Sequence, residues 1–320
     1  MDLELPAPDV HVHGLPWFSG NYPDLYRFPK DRLTQLPERV SVQARFPAGA
    51  RVRFSSDSVS VSFEITGVNE APRHGIDVYL DGGYLRTVVV APGTSTYEVF
   101  DGFPRRPRLI ELYLPYRQEI RIDRIVMDQD ASVSTPPAYR GSLPLVFYGS
   151  SVAQGVGSGR SSVSYEAALS RMLGLDYVNL GFGGAGKAEP EVVELVASID
   201  ACCYLFDLGK SYGAQSHHAY SQMLRTVRDA HPDVPIICIT PIYSTRERYS
   251  PEYSELSNHT RSVVVTAAEE VKSVRVMDGL TLLGEGDADG LSNDGVHPSE
   301  LGFQRIAERL EPEISRLVKA

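Results

Sequence analysis

The hydrophobic pattern changes its period near residue 140, and few single folds can accommodate that change. Before it, Val40-Ser41-Val42-Gln43-Ala44-Arg45-Phe46, Val59-Ser60-Val61-Ser62-Phe63-Glu64-Ile65 and Arg121-Ile122-Asp123-Arg124-Ile125 alternate apolar with polar. Alternation of period two marks strands with one dry face and one wet face. Asp81-Gly82-Gly83 between two such runs predicts a hairpin. No helix is expected in this half. After residue 140, short apolar runs at 145–148, 177–180, 203–206, 236–239 and 274–277 are separated by helical stretches at 189–198, 220–230, 252–271 and 300–318. A further helix is expected over 162–174. Apolar strands alternating with helices predict a parallel sheet covered on both faces. The chain therefore divides into residues 1–140, an antiparallel β-sandwich of about eight strands, and residues 141–320, an α/β domain. The breaker-rich stretch 132–142 is the expected linker. Pro312 should kink or restart the last helix. A chain of 320 residues is long enough for both parts to bury a core.

Composition narrows the partners. A net charge of −10 disfavours nucleic acid, whose phosphates call for a basic face. No apolar run approaches the ~20 residues that span a bilayer, and Met1-Asp2-Leu3-Glu4-Leu5 has no signal-peptide pattern. The expected location is cytoplasmic, with neither membrane nor nucleic acid as partner. Cys202, Cys203 and Cys238 fall in interior strands and read as buried free thiols. His11 and His13 share a strand face but lack a third ligand, so no metal is expected. Trp17, Tyr22, Tyr26 and Phe28 read as anchors for an irregular segment.

The chemistry lies at strand ends. Leu145-Val146-Phe147-Tyr148 runs into Gly149-Ser150-Ser151, which places a serine at the carboxyl end of the first parallel strand. Such sheets gather their sites on that edge. Far downstream, Asp294-Gly295-Val296-His297 supplies an acid and an imidazole just before the last helix. A serine nucleophile needs a base in reach, an acid to orient the base, and donors for the oxyanion. Ser151, His297 and Asp294 fill the roles of nucleophile, base and acid. Gly184, in Gly181-Phe182-Gly183-Gly184-Ala185-Gly186, has no side chain to keep its N–H from an oxyanion. Gly155-Val156-Gly157-Ser158-Gly159 lacks the Walker lysine and reads as a mobile loop beside the serine. His217 and His218 read as a solvated helix start bordering the site. Arg246 and Arg248 read as surface charge on the active edge, and Asp287-Ala288-Asp289 lacks the closing Glu of a calcium loop.

These residues resemble the blocks of the SGNH (GDSL-type) hydrolases. Gly149-Ser150-Ser151 is similar to the first block, with Ser150 where the family has Asp. Asn179-Leu180-Gly181-Phe182-Gly183-Gly184 is similar to the second, and Asp294-Gly295-Val296-His297-Pro298 to the last. The third block departs from the pattern. In Asp207-Leu208-Gly209-Lys210-Ser211, Ser211 stands where the family places an oxyanion-hole asparagine. Gly14-Leu15-Pro16-Trp17, Gly75-Ile76-Asp77-Val78-Tyr79 and Glu111-Leu112-Tyr113-Leu114-Pro115 resemble the N-terminal sandwich of a two-domain subgroup, the class of the tetracycline salicylyl acyltransferases. The resemblance implies a flavodoxin-like three-layer α/β/α catalytic domain and an oxyanion hole of Gly184 and Ser211. It also implies an activity without cofactor or metal, acting on a small-molecule acyl ester or acyl donor. Three readings follow from it: an esterase working through an acyl-enzyme, an acyltransferase passing the acyl group to an acceptor alcohol, or a binding protein on the same scaffold.

Overall fold

The structure, a computed structural model, describes residues 1–70 and 74–318. These pack into two compact units. The first comprises residues 1–33, 44–138 and 160–162. The second comprises 34–43, 139–159 and the chain from 163 onward.

The first unit is an antiparallel sandwich. One sheet orders Asp2–Leu3, Ile120–Met127, Val61–Gly67 and Gly93–Phe100 side by side. The other orders Val133–Ser134, Arg51–Ser56, Arg108–Tyr113, Gly75–Leu80 and Gly83–Val89, with His11–His13 also paired to Arg51–Ser56. The pairing at 133–134 sits inside the stretch expected to be linker. Along Val61–Gly67 every second residue is buried, as period two requires. Phe54 and Phe63 meet between the sheets with ring centroids 6.4 Å apart, within a core that includes Val78, Ile110, Leu112 and Ile125. The Gly75-x-Asp77-x-Tyr79 motif has a packing cause. A Cβ at Gly75 would collide with the Val88 carbonyl across the hairpin. The buried Asp77 carboxylate accepts from Thr87 Oγ1 at 2.6 Å and from the Ser162 N–H at 2.8 Å. It thereby ties residues 160–162 into this unit. Two donors satisfy a carboxylate that burial pushes above its usual pKa.

Segment 40–46 overturns the strand expected there. Glu38–Ala44 is an α-helix, and Lys30–Gln35 just before it is a 3-10 helix. Pro37 leads into the α-helix and its carbonyl accepts the Ser41 N–H at 2.9 Å. Val40 and Ala44, four apart, are fully buried, whereas Val42, which the alternating reading put on the same face, is exposed. The helical period of burial wins over an alternation that is coincidental.

The second unit is built on a parallel sheet: β1 (Leu145–Gly149), β2 (Tyr177–Gly181), β3 (Cys203–Asp207), β4 (Ile236–Ile239) and β5 (Val274–Met277), in the order β2-β1-β3-β4-β5. This is the flavodoxin-like order, with its switch point at β1. β1, β2 and β3 are buried at every residue, so both faces are covered by helices. Helix Tyr165–Leu173 packs with Glu300–Leu317, while Pro190–Ala197, His217–Ala230 and Pro251–Glu269 pack with one another. Together with the sheet they form the three-layer α/β/α architecture. The helix expected over 162–174 starts at Tyr165, capped by Ser164. Glu300–Leu317 runs through Pro312 without restarting. No helix among the described residues is long and apolar enough to cross a membrane.

Candidate active site

β1 ends at Gly149, where only a glycine fits: a Cβ there would collide with the carbonyl of Asp207 on β3. The Ser150 N–H donates to that same carbonyl at 3.0 Å. The chain then turns into the one-turn helix Ser151–Gln154, with Ser151 as its first residue. Asn179 on β2 braces this turn. Its Nδ2 donates to the Ala153 carbonyl at 2.7 Å, and its Oδ1 accepts from the Gly181 N–H at 2.9 Å.

The structure brings Ser151, His297 and Asp294 together. His297 Nε2 lies 2.9 Å from Ser151 Oγ, and His297 Nδ1 lies 2.6 Å from Asp294 Oδ2. The other Asp294 oxygen accepts from the Val296 N–H (2.8 Å), the His297 N–H (3.0 Å) and the Ser292 hydroxyl (2.9 Å). Partial burial works to raise the Asp294 pKa, but the hydrogen bonds from the His297 backbone and ring, Val296 and Ser292 outweigh it. The carboxyl is held well below the usual range and stays ionised. The loop carrying Asp294 and His297 is pinned at Gly295, whose carbonyl accepts from Ser244 Oγ (2.8 Å) and from the Thr245 N–H (2.9 Å). The Gly155–Gly159 stretch packs against the same loop. Gly157, at φ +107°, approaches so closely that a Cβ would stand 2.8 Å from that of His297.

Gly183 and Gly184 follow β2. A Cβ on Gly183 would stand 3.7 Å from Ser151 Cβ, so this loop flanks the serine. The Gly183 N–H is shared between Gln43 Oε1 (2.7 Å) and Gln154 Oε1 (2.9 Å). Gln43 Nε2 returns a bond to the Gly183 carbonyl at 2.9 Å. By contrast, the N–H groups of Ser151 and Gly184 have no acceptor among the described residues. Gly184 sits at φ +69°, the left-handed region that glycine enters freely. Ser211 lies on the 3-10 turn Gly209–Tyr212, and its hydroxyl also has no hydrogen-bond partner among the described residues. That turn abuts the neighbour of Ser151, since a Cβ on Gly209 would stand 3.0 Å from Ser150 Oγ.

Beneath the site, Asp207 is buried and pushed up to about 7 by desolvation, against the pull of the Tyr165 hydroxyl and Lys210. Desolvation also lowers Lys210 to about 8, against the upward pull of Glu247, 3.4 Å away. His217 and His218 open their helix, and with Glu270 they offer three ligand atoms within 4.8 Å of one another. Glu270 is already engaged by His217 at 3.1 Å and Arg225 at 2.8 Å. Arg248 pairs with Glu285, while Asp287 and Asp289 pair with Arg309 and Arg305 of the last helix. That pairing gives the acidic run a structural use. Gln43, Gln154 and the Ser244–Gly295 brace escaped the sequence reading. Asn179 alone carried a signal, as the first residue of the second block.

Compared with known proteins, residues 142–315 match the model of the GDSL-like lipase/acylhydrolase family. No curated protein matches the chain. Among solved structures, a GDSL-like lipase from Bacteroides ovatus superposes with a TM-score of 0.85 at 24% identity, covering 99% of this chain and 98% of that one. A salicylyl-acyltransferase from a tetracycline biosynthetic pathway gives 0.85 at 22% identity, covering 100% and 99%. A family two carbohydrate esterase from Clostridium thermocellum, in complex with cellohexaose, gives 0.67 at 18% identity over 84% and 92%.

Proposed function

The chain belongs to the GDSL-like lipase/acylhydrolase family and is an enzyme, and we propose that it is a serine acyl-ester hydrolase working through an acyl-enzyme. The observation that carries this reading is the unbroken relay from Ser151 Oγ through His297 to Asp294, at 2.9 and 2.6 Å. Ser151 Oγ attacks the ester carbonyl while its proton passes to His297 Nε2. Asp294 keeps the His297 Nδ1 proton in place and balances the imidazolium. Negative charge develops on the carbonyl oxygen, where the N–H groups of Ser151 and Gly184 and the Ser211 hydroxyl receive it. Both N–H groups lack other acceptors among the described residues, so they are free for this task at no cost in broken bonds. His297 then returns its proton to the departing alkoxide. Water, deprotonated by the same imidazole, releases the acid.

A second reading keeps the acyl-enzyme and replaces water with an acceptor alcohol of a small molecule, such as a polyketide or a sugar. It is favoured by Ser211 standing in place of asparagine, and by full-length likeness to an acyltransferase. Time courses with p-nitrophenyl esters separate the two. A hydrolase releases nitrophenol at a rate indifferent to added alcohols and accumulates free acid. A transferase is accelerated by the right alcohol and accumulates the new ester. Absence of turnover with every ester, with or without acceptors, would sink both readings. As in the sequence reading, the location is taken as cytoplasmic and no metal or organic cofactor is assigned a role.

A further inference from the structure

Helix Glu38–Ala44 brings two side chains to the loop beside the nucleophile, and neither was expected there. Gln43 and Arg39 are four apart, so they lie one above the other on one helix face. Gln43 holds Gly183 by both its N–H and its carbonyl. Arg39 lies against the next residue: a Cβ on Gly184 would stand 2.8 Å from Arg39 Nη2 and 3.4 Å from Nη1. The missing side chain at 184 is what lets the guanidinium lie there. Arg39 is exposed and has no hydrogen bond or ion pair among the described residues. Arg248 and Arg261 of the same unit, by comparison, pair with Glu285 and Glu247.

We propose that Arg39 is the substrate-recognition residue of this site and binds an anionic group, a carboxylate, carried by the ester. The proposal rests on the acyl-transfer reading above and adds the substrate class to it. A planar guanidinium offers paired N–H donors that match a carboxylate. The Gln43 clamp fixes Gly183, so the distance between Arg39 and the reacting carbonyl is set by the scaffold rather than by a free loop. The ester carries its carboxylate either on the acyl side, as in a hemiester of a dicarboxylic acid, or on the alcohol side, as in an acylated hydroxy acid.

Two substrate pairs test this and distinguish the sources. The first is the 4-nitrophenyl hemiester of glutaric acid against its methyl diester. The second is 4-acetoxybenzoate against its methyl ester. The wild type should favour the anionic member of one pair by roughly 10-fold in kcat/KM, mostly through KM. Arg39→Gln should bring that ratio to about one, and Arg39→Lys should retain part of it. In parallel, calorimetric titration of wild type and Arg39→Gln with glutarate and with 4-hydroxybenzoate reads anion binding without turnover. Loss of binding in Arg39→Gln supports the assignment even if no ester is cleaved, a result that would count against the acyl-transfer reading alone. Equal losses on anionic and neutral esters, or an anion titration that Arg39→Gln leaves unchanged, would overturn it.

Discussion

Replacing Asp294 by asparagine tests the relay at its most informative point. Asp294 Oδ1 already accepts two backbone N–H groups, from Val296 and His297. An asparagine at this position would keep its carbonyl oxygen on those donors, which turns its amide NH2 toward His297 Nδ1. An NH2 facing Nδ1 demands the tautomer with the proton on Nε2, and that tautomer cannot accept the proton of Ser151. The charge term adds to this. An imidazolium and a carboxylate about 4 Å apart at an effective dielectric near 20 interact by about 4 kcal/mol. The Asp294 side chain is 41% exposed, so solvent screening brings this to about 2 kcal/mol, or roughly 30-fold in rate. Tautomer and charge together predict a fall in kcat of about 10³-fold, with KM changed less than about twofold. The assay is steady-state cleavage of a p-nitrophenyl ester, with circular dichroism to show that the variant is folded. Asp294→Ala, which imposes no tautomer, should retain more activity per folded molecule than Asp294→Asn. A loss below about 10-fold in the folded Asp294→Asn variant would refute the assignment of Asp294 as the orienting acid.

Two further predictions concern the third block. Asp207 releases its proton near 7 in the native protein, against an ordinary value of 3.8, so between those values the native state holds one more proton than the unfolded chain. Its contribution therefore makes stability fall as pH rises from about 4 to about 7. Asp207→Asn should remove this, by up to about 4 kcal/mol at pH 8 and far less at pH 4, read as a rise in Tm relative to wild type that grows with pH. A Tm difference independent of pH would contradict it. Ser211→Ala should lower kcat roughly 10–100-fold at unchanged KM if its hydroxyl serves the oxyanion. Unchanged kcat would leave the two N–H groups as the only donors.

The fold and the candidate reacting groups were legible for different reasons. Val61–Gly67 declares itself because its burial follows the period of the backbone, and β1–β3 because burial on both faces makes them continuous apolar runs. Ser151, Asp294 and His297 could be placed because a parallel sheet collects strand ends on one edge. Segment 38–44 misled because Val40 and Ala44, four apart, fit both periods and the exposed Val42 between them completed a coincidental alternation, whereas Pro37 was the discriminating signal. Gln43 left no mark at all. Its partner Gly183 is 140 residues away in the chain, and pairing over that separation has no local spacing to betray it. The same holds for Ser244 and Gly295. The candidate reacting groups were readable, and the groups that brace them were not.

The most direct test of the central claim is labelling with a fluorophosphonate, followed by intact mass, on wild type and Ser151→Ala. An activated serine in a working relay takes up one adduct in the wild type and none in the variant, and peptide mapping should place it on Ser151. An unlabelled wild type, or a variant labelled as fully as the wild type, would contradict the account.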